Sequence, residues 1–421
     1  MLVMRTSPYG HAGRHRAVGQ TLLLLCLVAF LTLGQAQIDE QRAAVEPPRQ
    51  VFRWEPLVQM DNNLFPSAII ATANLQLPAR VQNSEPSVLG NPTGWVGIMV
   101  VCPHDGAQVS VRIKCKQLME DSGGDFILPQ RGKVYQLHPE VAWDFDGLRI
   151  NHGAKPETIS FAVSIDGSVP DTKTRRVLVR SINDCVTGSV ENGRYVDFPY
   201  IFPAYVNEDH PWVIQLLDEA KKSGTIREFS GYQSHKTQDV YNQVYAIWNV
   251  LQRRGLTYSS ITTVAPSSNK VYSQEVRFLE QSIASNQANC VDGSVLFASI
   301  LRKIGIDPFL VLIPGHMFMG FYLEPEHKQT AALETTLMGK IDLRKFPEDH
   351  TLTGGMTKYL GADTKNSASW KTFAAAIGEG ARKYKASLPH MEQHERNYAV
   401  IEISAARKLG ILPIAYITDT K

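Results

Sequence analysis

Cys290, His316 and Glu334 are the residues of this chain whose types and spacing could do chemistry together. A thiol attacks an acyl group as its thiolate, and an unperturbed cysteine is only a few per cent ionised at neutral pH. A helix N-terminus, a nearby imidazole and an acid that orients the imidazole each help. The run "NCVDGSVLFASILRKIG", Asn289 to Gly305, supplies the first. Asn289 reads as an N-cap, so Cys290 takes the first helical position, where unpaired N–H groups and the positive dipole end favour a thiolate. Those N–H groups could also donate to an oxyanion during acyl transfer. Asp292 completes a capping-box-like pair with Asn289 and is read as structural.

His316 opens a strand just after Pro314-Gly315, where an imidazole can project from a sheet edge toward a helix end. Glu334 closes the next strand, "TAALETT"; if the two pair as a hairpin, the carboxylate comes within reach of His316. An oxyanion donor from a side chain is less plainly marked. Gln274 in "SQEVR" is the choice and Gln287 the alternative, each also readable as a surface or cap glutamine. Singly, a buried cysteine is a small hydrophobe, a Gly-His pair a core histidine and Glu334 a solvated strand end. Their succession makes the catalytic reading the stronger one.

The elements that must position them follow from periodicity. In the Asn289 helix, Val291, Val295, Ala298 and Leu301 make one stripe and Leu296, Ile300 and Ile304 an adjacent one. That arc is too wide for a surface helix, so this one should be central to its domain. Arg302 and Lys303 suit the C-terminal dipole, and Gly305 and Pro308 end it. "FLVLIPGHMFMGFYLE" reads as two strands, the second with His316, Phe318, Gly320 and Tyr322 on one face and Met317, Met319 and Phe321 on the other. Upstream, "NEDHPWVIQLLDEAKKSG", with Asn207 as N-cap, and "TQDVYNQVYAIWNVLQRRG" read as core helices. Downstream come a helix near Ser369 to Ser387, a strand at Tyr398 to Ile403 and a short helix before Pro413. No internal repeat or low-complexity tract is found.

Earlier in the chain the period is two. "AQVSVRIKC" alternates Val109, Val111, Ile113 and Cys115 with polar residues, and "TISFAVSIDGS" repeats the pattern with Ile159, Phe161, Val163 and Ile165. With "GWVGIMVVC" and "RRVLVRSI" as further strands, residues 51–189 fit an antiparallel, immunoglobulin-like β-sandwich, and the expected class is α+β. Residues 37–50, closed by Pro47-Pro48, read as a linker. Residues 1–36 read as a secretory signal: Arg5, Arg14 and Arg16, an apolar run from Thr21 to Leu33, and small residues around a cut after Ala36. The run is short for a bilayer span, so an uncleaved anchor is the lesser alternative. A secreted or periplasmic location is therefore expected.

Without those three arginines, the 43 basic and 41 acidic residues leave a net charge of about −1, which argues against nucleic acid or an anionic membrane as main partner. Export permits disulfides among Cys102, Cys115 and Cys185. A simple hairpin about "PHDG" would hold Cys102 and Cys115 apart; Cys185 pairing with either stays open, and Cys290 is left as the unpaired thiol.

"NCVDGSVLFASILRKIGIDP", "GHMFMGFY" and "LETT" together resemble the core of the transglutaminase-like superfamily, and the chain looks like a secreted, bacterial-type member. The resemblance extends at most over Tyr205 to Ile414 and is sharp from Gln287 to Thr336. It implies a papain-like domain, about residues 205–421, with a central helix packed on an antiparallel sheet. It carries the nucleophile to Cys290, the base to His316 and the orienting acid to Glu334. The acid is glutamate where the superfamily more often has aspartate, and Met317-Phe318 follows the histidine where a small residue and an aromatic are common. A longer carboxylate still accepts the imidazole N–H. The superfamily includes cross-linkers, peptidases, deamidases and inactive members, so the resemblance implies either thiol-dependent hydrolysis or transfer on protein or peptide amides, or an inactive scaffold gripping an extracytoplasmic protein or cell-wall peptide.

Neither cofactor nor metal is expected, since no loop of alternating acids around a central glycine is visible. "HMEQHE" places His390 and His394 four apart on a possible helix that could hold zinc, but it lacks the glutamate directly after the first histidine of a zinc-peptidase motif.

Overall fold

The computed structural model describes residues 4–5, 52–75, 86–91, 93–191, 193–260, 268–339, 342–346 and 367–415. The signal and linker expectations fall on residues 1–50, outside the described residues but for Met4–Arg5. The chain is α+β, with helices and strands in similar shares and several sheets.

Strands β1 (Trp54–Val58), β2 (Val88–Gly90), β3 (Val96–Val101), β4 (Ala107–Cys115), β5 (Met119–Leu128), β6 (Val134–His138), β7 (Lys155–Ile165) and β8 (Asp171–Val179) build two sheets. One runs β1-β3-β6-β2; the other runs β8-β7-β4-β5, with the short strand Asn63–Leu64 beyond β8. The alternation in β4 and β7 buries Val109, Val111, Ile113, Ile159, Phe161 and Val163 in the main apolar core, as a period of two dictates. The "PHDG" turn does not close a hairpin. Its flanking strands β3 and β4 lie in different sheets, so the chain crosses between sheets there. Cys102, Cys115 and Cys185 are all free thiols.

Strand β9 (Asp184–Glu191) pairs with β10 (Arg194–Asp197) and also with β11 (Val271–Glu275), tying the two halves of the chain together. Between them come α1 (Pro211–Lys222) and α2 (Thr237–Arg253). The cap of α1 is His210, not Asn207: Pro211 suits the first helical position, and His210 Nδ1 accepts from Trp212 N at 3.1 Å.

The second half is layered around one sheet. Strands β12 (Pro308–Ile313), β13 (His316–Tyr322), β14 (Gln329–Leu333) and β15 (Ala399–Glu402) are antiparallel in the order β14-β13-β12-β15, with Met4–Arg5 beside β14. Helix α3 (Cys290–Lys303), buried from Val291 to Leu301, packs on β12 and β13. Met317, Met319 and Phe321 join its core, whereas Phe309, Val311, Phe318 and Tyr322 cluster with Tyr384 and Met391 of α4 (Ala368–Glu392). The sheet thus carries α3 on one face and α4 on the other. Each fully buried phenylalanine here is worth about 1.5–3 kcal/mol over exposure, so packing more than propensity fixes these helices.

Helix α4 runs further than Ser387, through Pro389 to Glu392. It stops before His394, whose φ of +54° is left-handed, so His390 and His394 do not share a helical face. His390 Nδ1 bonds Glu395 instead, at 2.9 Å. Among the described residues, no helix is long and apolar enough to cross a membrane.

Candidate active site

The position of Cys290 follows from its cap. Asn289, with extended backbone, accepts from Val291 N at 2.8 Å and Asp292 N at 2.9 Å through Oδ1. In return, Asn289 N donates to Asp292 Oδ2 at 2.9 Å. Its carboxylate is further held by Arg277, whose N donates to Oδ1 at 2.8 Å and whose Nη1 donates to Oδ2 at 3.0 Å. Asp292 therefore braces the helix mouth and is neutralised by Arg277.

This cap narrows the oxyanion donors foreseen from the sequence. Val291 and Asp292 N–H are occupied by Asn289 Oδ1, and Gly293 N donates to Asn289 O at 3.0 Å. Among the described residues, the first-turn amide left without a protein acceptor is that of Cys290 itself. Gln274 lies on β11 opposite Cys185, with Nε2 donating to Glu275 O at 2.8 Å. Gln287 is exposed in a two-residue strand, Gln287–Ala288, that pairs in parallel with Thr257–Tyr258. Neither glutamine has a hydrogen bond to the site among the described residues.

His316 is placed by its turn. Pro314-Gly315, with Gly315 at φ +70°, joins β12 to β13 so that Ile313 faces His316, the first residue of its strand. At that end of the sheet the imidazole meets groups from both covering layers. The free, partly exposed thiol of Cys290 is near enough to the ring to raise its pKa. Glu334, just past β14, places Oε2 at 2.7 Å from His316 Nε2. A carboxylate only accepts, so Nε2 carries the proton between them and Nδ1 is the ring nitrogen outside that bond.

Glu334 is fully buried and well satisfied. Thr336 donates to Oε1 from N at 3.1 Å and from Oγ1 at 2.6 Å, and Lys383 Nζ donates to Oε2 at 2.7 Å. Burial pushes the carboxyl's pKa up, but the hydrogen bond and charge of His316, with the charge of Lys383, outweigh it and hold the group well below the usual range. For His316 burial pulls downward, yet the hydrogen bonds with Cys290 and Glu334 and the carboxylate charge raise it to about 9. The imidazolium is thus the favoured form at neutral pH.

The three predicted triad residues therefore come together, while Gln274 and Gln287 do not join them. Three neighbours were missed. Lys383 and Thr336 are not singled out by the sequence, yet both donate to Glu334. Tyr258 sits opposite Ala288 next to the helix mouth, and burial, with the charges of Cys290 and Glu334, raises its hydroxyl pKa. No local pattern marks any of them; they arrive by tertiary packing.

The sequence matches no family model and none of the curated proteins.

Proposed function

We propose that this chain is a thiol-dependent acyltransferase or hydrolase acting on protein or peptide amides, of the transglutaminase-like type. The observation that carries the reading is the His316 Nε2–Glu334 Oε2 bond of 2.7 Å beside a free, partly exposed thiol at a helix N-terminus. Cys290 attacks the amide carbonyl as thiolate, and the oxyanion is stabilised by its own N–H and the helix dipole. His316, having taken the thiol proton, returns one to the leaving amine, and Glu334 keeps the ring oriented. A thioester results. Water releases it as acid, whereas a lysine amine turns it into a cross-link.

The same reading takes residues 205–421 as a papain-like domain and residues 51–189 as an immunoglobulin-like β-sandwich that positions a partner or packs on the catalytic half. Support comes from the central helix on an antiparallel sheet and from the two upstream sheets whose inward residues join one core. With the signal-like N-terminus, the protein would work in a secreted or periplasmic setting.

The test incubates wild type, Cys290→Ser and His316→Asn with an acyl-donor glutamine peptide and an amine probe, and reads products by mass spectrometry. Deamidated, cleaved or amine-coupled peptide from wild type alone is expected. No product from wild type would return the chain to the scaffold reading.

A further inference from the structure

Lys383 reaches from α4 to the bonded pair His316–Glu334. Its Nζ is 2.7 Å from Glu334 Oε2 and 3.3 Å from His316 Nε2. Nε2–H and Nζ–H are both donors converging on one carboxylate oxygen, so the 3.3 Å approach is not itself a bond between them. The lysine is partly shielded, with 24% of its side chain exposed, and a second carboxylate, Glu379, lies 3.8 Å from it. Glu379 is also paired with Arg382.

The backbone brings it there by design of small residues. A Cβ on Gly380 would fall 2.6 Å from Ala332 C and 2.8 Å from Leu333 N, so only glycine lets α4 lie this close to β14. The contact is pinned by Glu334 N donating to Ala376 O at 3.0 Å. One turn beyond Gly380, Lys383 is then carried over the carboxylate.

We infer that Lys383 is a positioning residue of this site: its ammonium keeps Glu334 ionised whatever the protonation state of His316, and so holds Nε2–H on the carboxylate. The inference rests on the acyl-transfer reading above. In that cycle His316 gives its proton to the leaving amine and becomes neutral. A fully buried carboxylate facing a neutral imidazole would lose its charge partner and draw a proton, releasing the ring. Lys383 supplies a positive charge that the cycle does not consume. It also opposes the proton on His316, easing its release.

The charged and titratable groups facing His316 are Cys290 from α3, Glu334 after β14, Lys383 and, behind it, Glu379 from α4; Tyr258 lies beside Cys290 and Glu334. Removing the lysine charge therefore has a readable sign. In protein carrying 13C,15N-labelled histidine, His316 is assigned by its loss in His316→Asn and titrated by NMR in wild type, Lys383→Met, Lys383→Gln and Lys383→Arg. The His316 midpoint is expected to rise by about 0.5 to 1 pH unit in the Met and Gln variants and to stay near wild type in Arg. The alkaline limb of turnover should move with it. Glutamine keeps a donor to Glu334 without charge, so it serves if methionine fails to fold. An unchanged midpoint in a folded Met or Gln variant overturns the role of Lys383. The titration needs no substrate, so absence of turnover in wild type would count against the acyl-transfer reading alone.

Discussion

Gly293 on α3 and Thr335, the residue after Glu334, are in such close apposition that a Cβ on the glycine would lie 2.8 Å from Thr335 Oγ1 and 3.0 Å from its Cβ. The helix mouth and the strand end that carries the acid are thereby locked side by side. Nucleophile and carboxylate owe their common neighbourhood to a missing methyl group.

Gly293→Ala is therefore expected to push the Glu334–Thr336 turn away from α3. Overpacking of this kind costs about 1–3 kcal/mol, less the propensity gained by alanine in a helix. Turnover should fall more than melting temperature alone would explain. Wild-type turnover in a folded Gly293→Ala would show that the apposition does not set the geometry.

The thiols should differ sharply in reactivity. Cys102, Cys115 and Cys185 are buried, and burial pushes each of their pKa values up. Iodoacetamide on the native chain should modify Cys290 and leave these three untouched, as read by peptide mapping. The Cys290 rate at pH 6 should drop about tenfold or more in His316→Ala, because the imidazolium partner is lost. A rate indifferent to His316 would mean that the two side chains do not communicate.

The buried pair also sets a pH window for stability. His316 is raised from 6.5 to about 9, so its contribution is complete below about pH 6.5 and is lost as pH climbs through about 9. Glu334 is lowered from 4.5 to about 2, so its contribution is present above about pH 4.5 and is lost as pH falls through about 2. Replacing Glu334 by Gln leaves Lys383 facing a neutral amide and should cost about 3–5 kcal/mol near pH 6. The gap between the wild-type and Glu334→Gln melting curves should narrow above pH 9, where His316 is neutral in both. A gap that stays constant from pH 6 to pH 10 would speak against an ionised histidine in the native state.

What the sequence determined by itself is local. Asn289 and Asp292 announce the start of α3, because a side-chain cap and its reciprocal partner lie within four residues of each other. Pro314-Gly315 announces the turn that makes His316 the first residue of β13, and alternation tells which strand residues face the same way. Even there local signals compete: Asn207 and His210 can both accept at the start of α1, and only the docking of α1, with Glu280 on His210 Nε2, separates them. The sheet change at "PHDG" was unreadable for a similar reason, since a turn is written in four residues but strand partners lie far along the chain. The tertiary structure decided everything that depends on two elements meeting. It brought Lys383 over Glu334 through Gly380, set Tyr258 beside the helix mouth, and left Gln274 bonded to its neighbour's carbonyl. Contacts across dozens of residues arise from close packing of whole helices and sheets, and no short stretch of sequence records which surfaces will touch.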